Sequence, residues 1–224
     1  MALHDVDVTL HKGDILGMIG PNGSGKTTLF NVISGIYAPT SGEIRYKGQS
    51  ITKKKPCIIC RMGIARTFQI VQPFSQMTLL ENVLIGAMYG RGFSQTRGRE
   101  KAREILQFVG LKEKMDLTPN EITTEDRRRL ELARALATEP EVILLDEIMA
   151  GLTPAEMAEA LNLLRQINSK GITVFMVEHI MKAVMSICNR IIVLNYGEKI
   201  AEGSPQEVAE NAEVIKAYLG ERYV

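Results

Sequence analysis

The chain has 224 residues, of which 45% are apolar and 24% charged, and its formal net charge is +1. That length suits one large domain, or one α/β core with a smaller subdomain, and it buries most of its apolar surface without disulfide staples. Nothing in that charge balance points to nucleic acid or to an anionic membrane surface, and no nucleic-acid partner is expected.

No apolar run reaches the roughly 18–20 residues that cross a bilayer. No cleavable signal precedes the first predicted strand, so the expected location is the cytosol. Three cysteines are an odd count, which argues against a disulfide framework. Cys57 and Cys60 form a Cys-x-x-Cys without a second pair to complete a tetrahedral metal site, and ordinary reduced thiols are expected there. If that segment is helical, the two share a face.

In chain order, Asp14–Gly20 reads as a buried strand, short and apolar, stopped by Gly, Pro and Asn. Lys26–Ser34 reads as a helix ended by Gly35. Glu43–Tyr46 alternates like a half-exposed strand after the Ser41–Gly42 turn. Gly63–Phe68 leads to Gln69 and a loop holding Pro73. From about Met77 the period turns helical, with Leu79, Val83 and Ala87 on one face, until the Gly- and Arg-rich stretch Gly90–Gly98 interrupts it.

Arg99–Val109 and Glu125–Thr138 are two more amphipathic helices. The α/β alternation then resumes. Val142–Leu145 is a strand, Pro154–Ser169 a helix with Pro at its start, and Thr173–Val177 a strand followed by a short helix. Arg190–Asn195 and Lys199–Glu202 flank Tyr196–Gly197 as a hairpin. Small helices near Pro205–Glu210 and Glu213–Leu219 close the chain.

The strongest local signal is Gly20-Pro21-Asn22-Gly23-Ser24-Gly25-Lys26-Thr27, which matches G-x-x-x-x-G-K-[ST] between a predicted strand and a predicted helix. Glycines let successive backbone N–H groups wrap a phosphate without Cβ clashes. The helix beginning near Lys26 adds its unpaired N–H groups and the positive end of its dipole. Lys26 can reach the β- and γ-phosphates, and the Thr27 hydroxyl can ligate Mg²⁺. Thr28 continues the same helical turn.

Strand Val142–Leu145 ends in two carboxylates, Asp146 and Glu147, at the sheet edge where α/β folds bind ligands. Alone, such a pair is a solvated turn. Beside a phosphate cradle, Asp146 is placed to hold Mg²⁺ through water, and Glu147 to orient the water that attacks the γ-phosphate. His179 follows a third strand and would reach the same edge. Gln69, an amide in a loop, says little by itself.

In this order the elements resemble the ATP-binding cassette family across essentially the whole chain. The resemblance makes Gly20–Thr27 the Walker A loop, Gln69 the Q-loop residue and a Mg²⁺ contact, Val142–Asp146 the Walker B strand, Glu147 the catalytic carboxylate, His179 the switch histidine and Gly151–Pro154 the D-loop. It implies an α/β, RecA-like P-loop core over residues 1–69 and 139–224, with an antiparallel β edge, and an inserted α-helical subdomain over 70–138.

It also implies ATP and Mg²⁺ as ligands, a second cassette ATPase subunit in a head-to-tail dimer, and integral membrane permease subunits that hold the chain at the inner face of the cell membrane. The region after Gln69, with Pro73, Phe74 and the helix from Leu79, would receive the permease. Within the family, Gly63–Gln69, Ala150–Leu152, Glu178–Met185 and Val214–Glu221 look most like the branched-chain amino acid importers. A lipopolysaccharide-export ATPase is similar at several of these places.

Three departures from the family pattern matter. The Leu-Ser-Gly-Gly-Gln signature falls on Ile122-Thr123-Thr124-Glu125-Asp126, with both glycines gone and two carboxylates present. Two unit charges 4 Å apart repel by about 1 kcal/mol in water, and by more where water is excluded. The same residues also fit a capping box, Thr123-x-x-Asp126, which would serve the next helix instead. An intact signature from a different partner ATPase would then complete the Gly20–Thr27 site.

Ile148 stands where Pro often follows the catalytic Glu, a change of packing. The family's upstream adenine-stacking aromatic has no counterpart ahead of Met1-Ala2-Leu3, so either the start is truncated or adenine is held less tightly. Two other classes compete. Soluble cassette ATPases of translation or repair carry paired cassettes or coiled-coil insertions, and neither occurs here. A non-hydrolysing regulatory binder fits the altered signature but not Glu147.

Overall fold

The computed structural model describes residues 2–68 and 72–219. In chain order it runs β1 (Ile15–Ile19), α1 (Lys26–Ile33), β2 (Arg45–Tyr46), β3 (Gln49–Ser50), α2 (Pro56–Met62), β4 (Ile64–Arg66), α3 (Leu79–Arg91), α4 (Gln95–Phe108), α5 (Thr124–Leu136), β5 (Val142–Asp146) and α6 (Pro154–Ser169). It continues with β6 (Thr173–Val177), α7 (Met181–Ile187), β7 (Arg190–Asn195), β8 (Glu198–Gly203), α8 (Pro205–Glu210) and α9 (Ala212–Leu219). Short 3₁₀ turns at Lys112–Lys114 and Pro119–Glu121 precede α5. Two compact units result, Met1–Lys53 with Leu144–Val224, and Lys54–Ile143.

The first unit is a mixed α/β layer. Its strands lie in the order β5-β6-β1-β7-β8. β1 sits between β6 and β7 and runs parallel to both, with Ile15 opposite Val174 and Leu16 opposite Arg190. All five residues of β1 and of β6 are buried, as expected of parallel strands covered on both faces. β8 closes the edge antiparallel to β7, with a bulge at Val193/Leu194. Phe30 of α1 meets Phe175 of β6 edge-on, ring centroids 5.0 Å apart, which fixes the first helix over the sheet.

The second unit is mainly helical. Thr78 caps α3 by accepting the Glu81 N–H, while the Glu81 carboxylate accepts the Thr78 N–H. Buried Asn82 accepts from Phe74 N and donates to the carbonyls of Phe74, Met77 and Thr78, stitching the entry loop to the helix. After α2, the Gly63 carbonyl accepts from Glu141 N and Val142 N at the start of β5.

The α/β class and the antiparallel β edge agree with the sequence reading. Two expectations need correction. The interruption expected over Gly90–Gly98 narrows to residues 92–94: α3 continues to Arg91, Gly92 ends it in the left-handed region, and Ser94 caps an α4 that begins at Gln95. Gly90 and Gly98, inside the two helices, serve packing. A Cβ on Gly98 would come 2.9 Å from Leu84 Cδ1, and one on Gly90 2.6 Å from Thr138 Cβ. The strand expected over Glu43–Tyr46 shrinks to Arg45–Tyr46 and pairs with Gln49–Ser50, a hairpin too short to show a period.

Gly86 lets α3 approach α5, since a Cβ there would lie 2.6 Å from the Arg134 carbonyl oxygen and 3.1 Å from Ala137 Cβ. Gly86→Ala is expected to cost about 1–3 kcal/mol through overpacking, despite the better helix propensity of Ala. Thermal unfolding of the purified variant checks this: an unchanged or raised midpoint would mean the helices can part.

Candidate functional site

The fully buried β1 delivers the chain to Gly20, where the loop turns back and enters α1 at Lys26. Gly20 is confined: a Cβ there would lie 2.1 Å from the Leu194 carbonyl oxygen and 2.7 Å from Ser24 Oγ. Gly25, the residue before α1, has φ 105° and offers no side-chain cap. The helix therefore opens with bare N–H groups, the arrangement that receives an anion. Ser24 and Lys26 are buried, Thr27 is exposed and Thr28 half-buried; Pro21 is half-buried, and Asn22 and Gly23 are exposed at the loop tip.

Lys26 folds back on its own loop. Its Nζ donates to the carbonyls of Gly20 at 2.8 Å and Pro21 at 2.9 Å, and lies 3.4 Å from Ser24 Oγ. Burial lowers its pKa, opposed by the carboxylates of Glu147 and Asp146. The ammonium thus shares one electrostatic neighbourhood with the two acids at the end of β5.

Asp146 is buried. Glu147 takes φ 51°, in the left-handed region, and its N–H donates to the Val177 carbonyl at the end of β6. This sets its carboxylate against His179, whose Nε2 lies 2.6 Å from Glu147 Oε1. The Gly20–Thr28 loop, Asp146, Glu147 and His179 all belong to the first unit. Gln69 lies outside the described residues.

Two contributors went unnoticed in the sequence. Glu178 is buried, and its Oε1 accepts the Met149 N–H, bracing the turn that follows Glu147. An acid closing an apolar strand directly before His179 was the available signal. Burial raises the pKa of the Tyr218 hydroxyl of α9, and its hydrogen bond with the backbone of Gly20 offsets part of that rise. Nothing local in the sequence links residue 218 to the loop.

The segment Ile122–Asp126 lies in the second unit, and its capping box is formed. Thr123 Oγ1 accepts the Asp126 N–H at 3.1 Å, and Asp126 Oδ2 faces the Thr123 N–H. Both carboxylates have cationic partners. Asp126 pairs with Lys114 at 2.5 Å, and Glu125 with Arg129. Burial opposes ionisation of Asp126, but Lys114 and Thr123 outweigh it and hold the carboxyl below its ordinary value. Thr124 opens α5 and is exposed.

The profile of the ABC transporter family matches residues 3–150. The chain belongs to the ABC transporter family. It is an ATP-binding cassette, the ATPase component of a transport system. A further profile, described as branched-chain amino acid ATP-binding cassette transporter, matches residues 198–224.

The high-affinity branched-chain amino acid transport ATP-binding protein LivG of Escherichia coli is 38% identical, with 99% of this chain and 92% of LivG covered. The solved ADP conformation of an ABC transporter cassette superposes with TM-score 0.88 at 35% identity, covering 98% of this chain and 93% of that one. The dimeric structure of a bacterial ABC transporter cassette gives TM-score 0.82 at 29% identity, over 91% and 90% of the two chains. Among the described residues of this cassette, no helix is long and apolar enough to cross a membrane.

The capped segment Ile122–Asp126 makes two expectations. Thr123→Ala removes the cap and should cost about 1 kcal/mol. The depressed Asp126 pKa implies stability that is present above the unfolded carboxyl's pKa of about 3.9 and is lost as pH falls through the lower folded value. In Lys114→Ala that acid-side loss should shrink. Denaturant titrations between neutral pH and pH 3 measure both; identical pH dependence in the variant and the parent would contradict the Lys114 assignment.

Proposed function

We propose that this cassette is the MgATP-hydrolysing subunit of an importer for branched-chain amino acids, acting from the cytoplasmic face of the cell membrane through a separate permease. The substrate class rests on the match over residues 198–224 and on the LivG likeness. The catalytic reading rests on one observation above others, the 2.6 Å contact of His179 with Glu147 beside the buried Lys26.

In this reading the N–H groups of the Gly20–Thr28 loop enclose the phosphates, and Lys26 exchanges its Gly20 and Pro21 carbonyls for phosphate oxygens. The donor set suits Mg²⁺, which takes a hydroxyl and one carboxylate and completes its shell with phosphates and water. Thr27 and Asp146 would hold it, with Gln69 as a further contact. Bound there, the ion neutralises charge that develops on the phosphates. Glu147 orients the attacking water and draws its proton, and His179 holds that carboxylate in place.

Across the dimer, the Thr123–Asp126 segment would face the partner's nucleotide. Its hydroxyl and carboxylates are engaged within its own unit. This favours pairing with a second, different cassette whose signature completes the Gly20–Thr27 site. Exposed Phe68 and Phe74, each beneath an arginine (Arg66 and Arg134), give the permease an apolar and cationic landing surface.

Glu147→Gln should lower kcat by about 10²-fold or more while leaving ATP binding largely intact. Steady-state turnover and nucleotide titration of the reconstituted complex provide the check. Undiminished turnover would remove Glu147 from the chemistry.

A further inference from the structure

The cysteines of α2 take no part in the chemistry above. Cys57 is exposed and Cys60 half-buried. They sit one turn apart on a single helix that opens with Pro56. Helix geometry puts their Cα atoms about 5 Å apart, inside the range of roughly 4.4–6.8 Å that a disulfide spans. Their Cβ atoms, about 5–6 Å apart in a regular helix, must close by about 1–2 Å. Cys57 is at the second helical position, ahead of the intrahelical N–H bonds, so the first turn can give. A bridge made under such constraint is readily reduced again.

An open cavity of about 350 Å³ is lined by Arg61, Met88, Tyr89, Gly90, Arg91 and Gly92, and two of these, Arg61 and Arg91, act electrostatically on Cys60. Its volume falls in the range of small-molecule sites. Arg61 follows Cys57 by four residues and so shares its face of α2. Arg61 Nε donates to the Tyr89 carbonyl and Arg91 Nη2 to the Glu139 carbonyl, which hold both side chains at the rim. A guanidinium carries five N–H donors, so each can also take a carboxylate. Burial pushes the Cys60 thiol up, while Thr138 and the two arginines draw it back.

We propose that Cys57 and Cys60 form a reversible dithiol–disulfide pair, oxidised by a small carboxylate-bearing disulfide that seats in the Arg61–Arg91 cavity. The exposed Cys57 attacks first. Its thiolate displaces one half of the small disulfide as a thiol, which takes up the proton Cys57 lost, and leaves a mixed disulfide on Cys57. The Cys60 thiolate then attacks Cys57 Sγ and releases the other half as a second thiol. Two electrons and two protons pass from the cysteines to the small disulfide.

The test treats the full chain with glutathione disulfide, or with neutral hydroxyethyl disulfide, and follows the cysteine peptides by alkylation and mass spectrometry. The expected result is loss of two hydrogens across Cys57 and Cys60, reversed by dithiothreitol, with Cys188 untouched until the protein unfolds. Cys60→Ser should stop at the mixed disulfide on Cys57, and Cys57→Ser should leave Cys60 a thiol. Arg61→Ala/Arg91→Ala, checked for folding by circular dichroism, should slow the glutathione reaction about fivefold and spare the neutral one. The proposal fails if both thiols stay separately alkylatable under full oxidation. It also fails if Cys60 reacts as fast without Cys57, or if the arginine substitutions slow both reagents alike.

Discussion

A buried ammonium held by the oxygens of its own loop is the constraint on which the rest of this cassette depends. Lys26 is almost wholly shielded from solvent, yet it remains hydrogen-bonded to Gly20 and Pro21 and electrostatically coupled to Asp146 and Glu147. Burying a charge is costly unless it is paired and hydrogen-bonded. The loop supplies its carbonyls, and the strand ends supply the counter-charge. The ends of β1 and β5 thus meet in one electrostatic neighbourhood, and Gly20 lies against the Leu194 carbonyl of β7 with no room for a side chain.

The second unit solves a different problem with ordinary means. Its helices α3, α4 and α5 start at Thr or Ser caps and come close through glycines, and its entry loop is tied down by Asn82. The segment Ile122–Asp126 follows the same local logic. Thr123 and Asp126 cap α5, and Lys114 and Arg129 neutralise the carboxylates. Asp126 and Glu125 therefore support the helix that bears them.

Much of this was legible in the residues. The β1–loop–α1 unit carries its meaning in a single run, because strand, glycines, lysine and helix are contiguous. The Asp146–Glu147 pair was legible by its position after an apolar strand, and His179 for the same reason. What escaped depends on distance along the chain. Tyr218 reaches Gly20 from the terminal helix, and Glu178 holds Met149, contacts that no local pattern encodes. The break expected over Gly90–Gly98 came out wider than residues 92–94 because a glycine packed inside a helix, as at 90 and 98, looks in sequence like Gly92, which ends one.

The left-handed backbone at Glu147 has a consequence for how that carboxylate can vary. Side chains branched at Cβ strain against a positive φ, whereas glycine, asparagine and aspartate accept it. Valine, isoleucine or threonine at this spot would strain the main chain as well as remove the carboxylate that meets His179. The usable alphabet at position 147 is therefore set by torsion as much as by acidity.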